Sequence, residues 1–404
     1  MKMELEFSAM WMVFLCICCS LMISYNRGIV EAAETLKNVE DLDIEQELKI
    51  INRPAVKIIK SIYGEEYGCV DFYKQPGFDH PSMMNHTFFH DKMRMSYPEG
   101  STKHRREKLS KKHFGHLWEN GLGCPIGTVP ILRVTKVDLL RLKSLGGDSS
   151  NPRGSWNNTY EPMLSGNDHH FAVTRTKRKP KIYNGATMRA AIFTPPVEPN
   201  QISSTRLHIQ IGSEFIQAGW TVNPLLYQGV ITRLFVFTNA GGHQCYHSRC
   251  PDGAGMILVR ADMAPGIPLV AQNIKGIQAI DIAINKDQTS GNWGLYVSNE
   301  LIGFWPASRF KESSGTGVEW GGEVYSPLSS PSPPMGNGRF PVGNPHYDSY
   351  IRDISIIDEN YKEDNTVKNT ESYTDNSHGY KVRDSTETWW KVGHLVVYGG
   401  PGKI

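Results

Sequence analysis

At 404 residues the chain is long enough for two domains, and its 39% apolar and 21% charged residues are close to ordinary globular usage. A formal net charge of +2 removes any global electrostatic case for nucleic acid or an anionic membrane as partner. The 38 glycines and 24 prolines announce many turns, which together with short alternating apolar runs favour a β-rich architecture.

The N-terminus reads as a signal peptide over residues 1–33. Lys2 supplies the positive end, Met10 to Ile23 is an apolar run shorter than the about 20 residues a spanning helix needs, and Ala32 and Ala33 offer a cleavage site. The alternative is an uncleaved anchor. No later apolar segment is long enough to span, so no membrane span is expected after cleavage. Of the seven cysteines, Cys16, Cys18 and Cys19 lie inside the signal. The remaining four, Cys69, Cys124, Cys245 and Cys250, predict two disulfides in an oxidising compartment. Three pairings are possible; Cys69–Cys124 with Cys245–Cys250 puts one bridge in each half. The sequons at Asn85 and Asn157 are open to glycosylation in that compartment, so the protein is expected outside the cell or in the wall.

Residues 34–145 form a small mixed N-terminal part. Leu36 to Ile51 has apolar residues at helical spacing, and Lys103 to His113 is a basic run that reads as a solvated face. Residues 146–168 are rich in Ser, Asn, Gly and Pro and read as a linker. Arg175-Thr-Lys-Arg178 resembles a dibasic processing site but reads better as an exposed, lysine-protected strand edge. Over residues 169–404 strands dominate. In Thr205 to Ile211, Leu207, Ile209 and Ile211 alternate with Arg206, His208 and Gln210, the pattern of a half-buried strand. Leu234 to Thr238, Met256 to Arg260, Ile277 to Ile284 and Leu295 to Val297 continue it, predicting an all-β C-terminal domain of two packed antiparallel sheets, a β-sandwich.

Nucleophile elbow, zincin and phosphate-loop motifs are missing, and no metal or cofactor is expected. His243-Gln-Cys245-Tyr-His247-Ser-Arg-Cys250 superficially resembles a zinc site, but in a secreted chain its cysteines read as a disulfide pinning a hairpin. Two segments mirror each other: Phe215-Ile-Gln217-Ala-Gly219-Trp220 and Val318-Glu-Trp320-Gly-Gly322-Glu323-Val324. Each sets a polar side chain three residues from a tryptophan with glycine between. Glycine admits close approach and tryptophan can wall a cleft, which makes Gln217 and Glu323 candidate catalytic residues, with Trp220 and Trp320 as cleft walls. The competing view leaves Gln217 and Glu323 as surface residues of a twisted sheet.

Long ordered stretches resemble the neprosin family, secreted and largely plant glutamic endopeptidases that cleave after proline. Cys69-Val-Asp-Phe-Tyr-Lys-Gln-Pro-Gly-Phe-Asp-His-Pro81, Asn85-His-Thr87 and Cys124-Pro-Ile-Gly-Thr-Val-Pro130 resemble its activation peptide. Gln217-Ala-Gly-Trp-Thr-Val-Asn-Pro224, Cys245 to Cys250, Gly291-Asn-Trp293, Gly303-Phe-Trp-Pro-Ala307, Glu319-Trp-Gly-Gly-Glu323 and Pro334-Met-Gly-Asn-Gly-Arg-Phe-Pro341 resemble its catalytic part. The resemblance implies a β-sandwich with a cleft across one sheet, an N-terminal propeptide that keeps it latent until acidification, and a Pro-containing peptide substrate. It also implies two catalytic glutamates. The second falls on Glu323, but the first falls on Gln217, and cysteines of a further C-terminal bridge are absent, although Tyr398-Gly-Gly-Pro-Gly402 resembles the family's last strand.

Two facing carboxylates can share a proton, one serving as base and the other as acid. Gln217 exchanges no proton, but its amide can donate to a developing oxyanion while Glu323 activates water, an arrangement that resembles the Glu/Gln dyad of the fungal glutamic peptidases. Glu214 lies three residues away and so on the opposite strand face. Two functions follow: an acid-active endopeptidase, or a non-catalytic relative that binds Pro-rich peptides or wall proteins. A carbohydrate-binding sandwich would rest on fold class alone.

Overall fold

The computed structural model describes residues 42–83, 114–144, 159, 168–177, 181–248, 250, 253–269, 277–386 and 393–404. The signal segment, both sequon asparagines, the basic run at 103–113, Arg178 and most of the linker lie outside them. The chain divides into two units at Ile50/Ile51; the described residues of the first, 42–50, are helical.

The second unit opens with a three-stranded antiparallel sheet of β1 (Ala55–Lys60), β2 (Glu66–Asp71) and β3 (Thr128–Leu132), with β2 in the middle. Cys69 on β2 is bonded to Cys124, with a Cα–Cα distance of 5.5 Å. A helix, Lys136–Ser144, follows β3. Its start is fixed reciprocally: Asp138 N donates to Thr135 Oγ1 at 3.1 Å, and Thr135 N donates to Asp138 Oδ2 at 3.1 Å.

The sandwich then runs through β4 (His169–Thr176), β5 (Gly185–Ala191), β6 (Ile202–Ile211), β7 (Glu214–Val222), β8 (Arg233–Ala240), β9 (His243–Tyr246), β10 (Ile257–Leu258), β11 (Ala279–Lys286), β12 (Trp293–Val297), β13 (Glu300–Trp305), β14 (Gly317–Tyr325), β15 (Ser349–Ile357), β16 (Glu363–Asp364), β17 (Thr370–Thr374), β18 (Lys381–Ser385) and β19 (Leu395–Gly399). One sheet has the order β17-β4-β14-β6-β7-β8-β9. The other has β10-β13-β12-β11-β5-β15-β19-β18, with β16 beside β15. The pairings are antiparallel, and the fold is an antiparallel β-sandwich. Cys245 at the end of β9 is bonded to Cys250, so neither sulfur is available as a thiolate metal ligand.

Trp220, Trp293, Trp305 and Trp320 are among the largest fully buried side chains. Trp220 Nε1 donates to Ala191 O at 2.8 Å and Trp320 Nε1 to Thr187 O at 2.9 Å, both carbonyls on β5 of the facing sheet. Trp305 returns the contact, donating from β13 to Thr238 Oγ1 on β8 at 2.9 Å. These indoles tie the two sheets together, and truncating such a residue typically costs about 3–5 kcal/mol. The expectation that Trp220 and Trp320 wall a cleft is therefore corrected. A spacing of three puts each tryptophan on the strand face opposite Gln217 and Glu323, inside the core.

A second correction concerns Arg175. It lies on β4, between β14 and β17, and its Nε reaches Glu371 Oε1 at 2.8 Å. The strand is paired on both sides and is no exposed edge.

The N-terminal sheet docks on the sandwich through specific polar contacts. Gln75 is buried and clasps Leu258 of the edge strand β10: its Nε2 donates to Leu258 O at 2.9 Å, and Leu258 N donates to Gln75 Oε1 at 2.8 Å. Trp118 Nε1 donates to Asp262 O at 2.8 Å, and Phe114 N donates to Asp262 Oδ2 at 3.1 Å. Arg260 holds the same carboxylate, Nε to Oδ1 at 2.7 Å, and Glu65 pairs with Arg233.

Candidate functional site

Residues alternate in direction along a strand, so the core face of the seven-stranded sheet fixes the composition of its other face. Three cross-strand rows form on that other face. The first runs Arg175, Glu319, His208, Gln217, Phe237 from β4 to β8. The second runs Val173, Gly321, Arg206, Gly219, Phe235, and the third Phe171, Glu323, Ser204, Thr221, Arg233. Gln217 and Glu323 thus share a face but are not opposite one another. They are two strands and four residues apart, about 13 Å along the strand direction at ~3.3 Å per residue. Gln217 is level with Glu319, and Arg206 occupies the midpoint between Gln217 and Glu323.

Glycine makes that midpoint possible. The cross-strand neighbours of Arg206 are Gly219 and Gly321. A Cβ on Gly219 would lie 1.8 Å from Thr205 O, and one on Gly321, at φ +155°, would lie 2.3 Å from Ala172 O. The neighbouring strands approach too closely there for any side chain, which leaves room above for the guanidinium.

Arg206, Glu319, Glu323, His208 and Gln217 are each fully buried. Arg206 Nε donates to Glu323 Oε2 at 2.6 Å, and its Nη2 is 2.7 Å from Glu319 Oε2. Burial alone would raise the Glu319 pKa; the Arg206 charge, with His208 and the Thr159 hydroxyl, outweighs it and holds the carboxyl below its ordinary value. Glu323 also meets His169, Oε1 to Nδ1 at 3.0 Å.

A second chain of contacts leads to the amide. Gln210 Nε2 donates to two backbone carbonyls, Gly212 O at 2.7 Å and Glu214 O at 3.0 Å, so its Oε1 faces His208 Nε2 at 3.0 Å as an acceptor. His208 Nδ1 is then 3.0 Å from Gln217 Nε2. Burial lowers the His208 pKa to about 4, opposed by the Glu319 charge and reinforced by Arg206. Glu214 faces away and has a structural task, accepting from Gly241 N at 2.6 Å and Lys311 N at 2.6 Å.

Segments from before residue 168 reach this face. Thr159 is buried; its N donates to Glu319 Oε1 at 3.2 Å, its hydroxyl bonds the same oxygen, and Arg175 Nη1 donates to Thr159 O at 2.8 Å. Beside Gln217 lies an apolar cluster that includes Phe215, Phe235, Phe237, Tyr246 and Tyr227, with Leu132 of β3 packed against it. Arg141 Nη1 donates to Tyr227 O at 3.2 Å at the rim of that cluster.

The sequence motifs point to Gln217 and Glu323, which the structure places on one buried face, but not to Arg206, His208, Gln210, Glu319, His169 and Thr159 around them. A signal was present for three of them. The polar alternation Arg206, His208, Gln210 fits one face of a half-buried strand, yet β6 is buried along its whole length. An Arg and a His on a strand flanked by glycine-bearing strands are better read as facing a site.

Fold and site together define an antiparallel β-sandwich that gathers carboxylate, guanidinium and amide groups on one sheet, with its own N-terminal segment reaching onto them. The family model described as Neprosin matches residues 199–401, and that described as Neprosin activation peptide matches residues 58–175. The chain belongs to the neprosin family, with an activation peptide ahead of the family's main domain. Among solved structures it is similar to Scytalido-glutamic peptidase with a peptide-based transition state analog, at 8% identity and a TM-score of 0.32, covering 58% of this chain and 97% of that one. It is also similar to SCP-B, a member of the Eqolisin family in complex with the tripeptide Ala-Ile-His, at 8% identity and a TM-score of 0.30, covering 57% and 96%. The galectin LEC-6 of Caenorhabditis elegans matches at 11% identity and a TM-score of 0.20, covering 40% and 96%.

Proposed function

We propose that this protein is a peptidase made as a zymogen, acting on Pro-containing peptides with Glu323 as the proton acceptor and Gln217 as a hydrogen-bond donor. The observation that carries the reading is the burial of both residues on one face of the seven-stranded sheet, with Arg206 between them and Thr159 of the preceding segment bonded to Glu319, level with Gln217. A peptide lying over Arg206 would meet both. Water attacks the scissile carbonyl carbon and gives its proton to Glu323; the oxyanion is met by an N–H of Gln217 and by Arg206, whose Nη1 is buried with no hydrogen-bond partner among the described residues. Glu323 then passes the proton to the leaving nitrogen as the C–N bond breaks, releasing an acid and an amine.

Latency follows from the segment before residue 168, which contacts such as Glu65 with Arg233 and Phe114 N with Asp262 bind to the sandwich, and acidification relieves it. The two disulfides support an oxidising compartment, hence secretion and sugar on Asn85 and Asn157. The test is incubation of matured protein with a Pro-rich peptide across acidic pH, read by mass spectrometry. Cleavage is expected from the parent and none from Glu323→Gln; parent-level cleavage by Glu323→Gln overturns the assignment. Full activity from protein that stays full length at low pH overturns latency.

A second reading, a peptide-binding relative without catalysis, is favoured by one observation: Arg206 holds Glu323 in a buried ion pair. It predicts no cleavage by the parent and unchanged peptide affinity in Glu323→Gln.

A further inference from the structure

We infer that His208 is a positioning residue which sets the direction of the Gln217 carboxamide, turning its NH2 group toward the cleft only when His208 carries a second proton. The inference rests on reading Gln217 as part of the reacting pair.

The geometry leaves little freedom. Gln210 Nε2 is committed to two carbonyl oxygens, so the atom it presents to His208 is an acceptor, and His208 Nε2 must carry the ring hydrogen. In the neutral ring Nδ1 is then a lone pair, and it can only accept. Gln217 accordingly points Nε2 at it, at 3.0 Å, with Oε1 at the other end of the amide.

When Nδ1 takes a proton, both ring nitrogens donate. Gln210 still accepts at Nε2, so nothing changes on that side. On the other side two donors would face each other, and the carboxamide turns over about Cγ–Cδ so that Oε1 accepts from Nδ1 and the NH2 group takes the place Oε1 held. A single proton on an imidazole thus exchanges an acceptor for a donor at the far end of Gln217, which is the polarity a developing oxyanion needs.

The charged groups around His208 decide where this happens. Glu319 and Glu323 of β14 favour the added proton and Arg206 of its own strand opposes it, while β7 and β8 present Gln217, Phe215 and Phe237. Burial dominates and sets the change at about pH 4. In an acid-activated protein this makes the amide donor available under the conditions that free the cleft.

The experiment uses the full chain labelled with 15N at histidine and glutamine, with His208→Gln and Gln217→Glu as assignment controls. Expected are an Nε2–H tautomer for His208 at neutral pH and a change in the Gln217 side-chain NH2 signals that shares the His208 midpoint near pH 4. An Nδ1–H tautomer, or Gln217 signals that ignore the His208 titration, overturns the inference. In matured protein the acid rise of cleavage should lose that midpoint in His208→Gln, and an unchanged pH profile also overturns it. A parent inert at every pH defeats the peptidase reading alone, and the NMR result still decides the role of His208.

Discussion

Replacing Arg206 with methionine removes the guanidinium that Glu319 and Glu323 share while roughly keeping its volume. All three side chains are fully buried, and both oxygen contacts are short, at 2.7 Å and 2.6 Å. Removing one member of a buried ion pair leaves an uncompensated charge and typically costs about 3–5 kcal/mol. Two carboxylates are stranded here, although Thr159 still donates to Glu319 and His169 still meets Glu323, so a loss of about 3–5 kcal/mol at pH 7 is expected. The sign of the pH dependence is the sharper test. In the parent the Glu319 pKa is held below its unfolded value, so its contribution is present at neutral pH and is lost as pH falls. In the variant burial, no longer opposed by Arg206, pushes the Glu319 pKa above its unfolded value, so the penalty is present at neutral pH and is relieved by acid. Urea unfolding of the full chain, followed by tryptophan fluorescence at pH 7 and pH 4, measures both. A variant within about 1 kcal/mol of the parent at pH 7, or a penalty that grows on acidification, would refute the shared-cation account.

Because the His208 pKa is lowered from 6.5 to about 4, the unfolded chain binds that proton first, and folding stability should fall by about 3 kcal/mol as pH drops through that window. His208→Gln should flatten that part of a stability–pH curve. Gly219→Ala should destabilise by about 1–3 kcal/mol or more, since its Cβ would lie 1.8 Å from Thr205 O; thermal unfolding that matches the parent would rule out the close approach of β6 and β7. Replacing Cys69 and Cys124 with serine opens a loop of sequence separation 55, worth about 4 kcal/mol by chain entropy, and limited proteolysis should then cut the N-terminal sheet first.

The sandwich was legible because its strands alternate. Leu207, Ile209 and Ile211 declare a core face whatever lies on the other side. The same evidence misled about that other side, because polarity alone does not distinguish water from a buried network, and Arg206, His208 and Gln210 face Glu319 and Gln217 rather than solvent. Gln217 and Glu323 were found through their motifs, but the rows that set them apart and insert Arg206 between them depend on register across β14, β6 and β7, which no local spacing encodes. Thr159 was hidden for a related reason: its partner is 160 positions away. Trp220 and Trp320 stand beside the polar residues in their motifs, but the strand period that sets Glu214 opposite Gln217 also sets both tryptophans on the core face.

The interleaving of core and site within single strands has a consequence for how substitutions will be tolerated. In Gln217 to Trp220 and in Glu319 to Val324, alternate positions answer to different demands: Ala218, Trp220, Trp320 and Val324 to the joining of two sheets, and Gln217, Glu319 and Glu323 to the buried polar network on the other face. A saturation library selected only for secretion of folded protein should therefore return a sawtooth along each strand, with the first set intolerant and the polar set freer wherever a neutral replacement keeps charge in balance. The same library selected for turnover should fill in the missing teeth. Half of each motif would persist in a chain that had lost all activity, because those positions record how the sheets are held together.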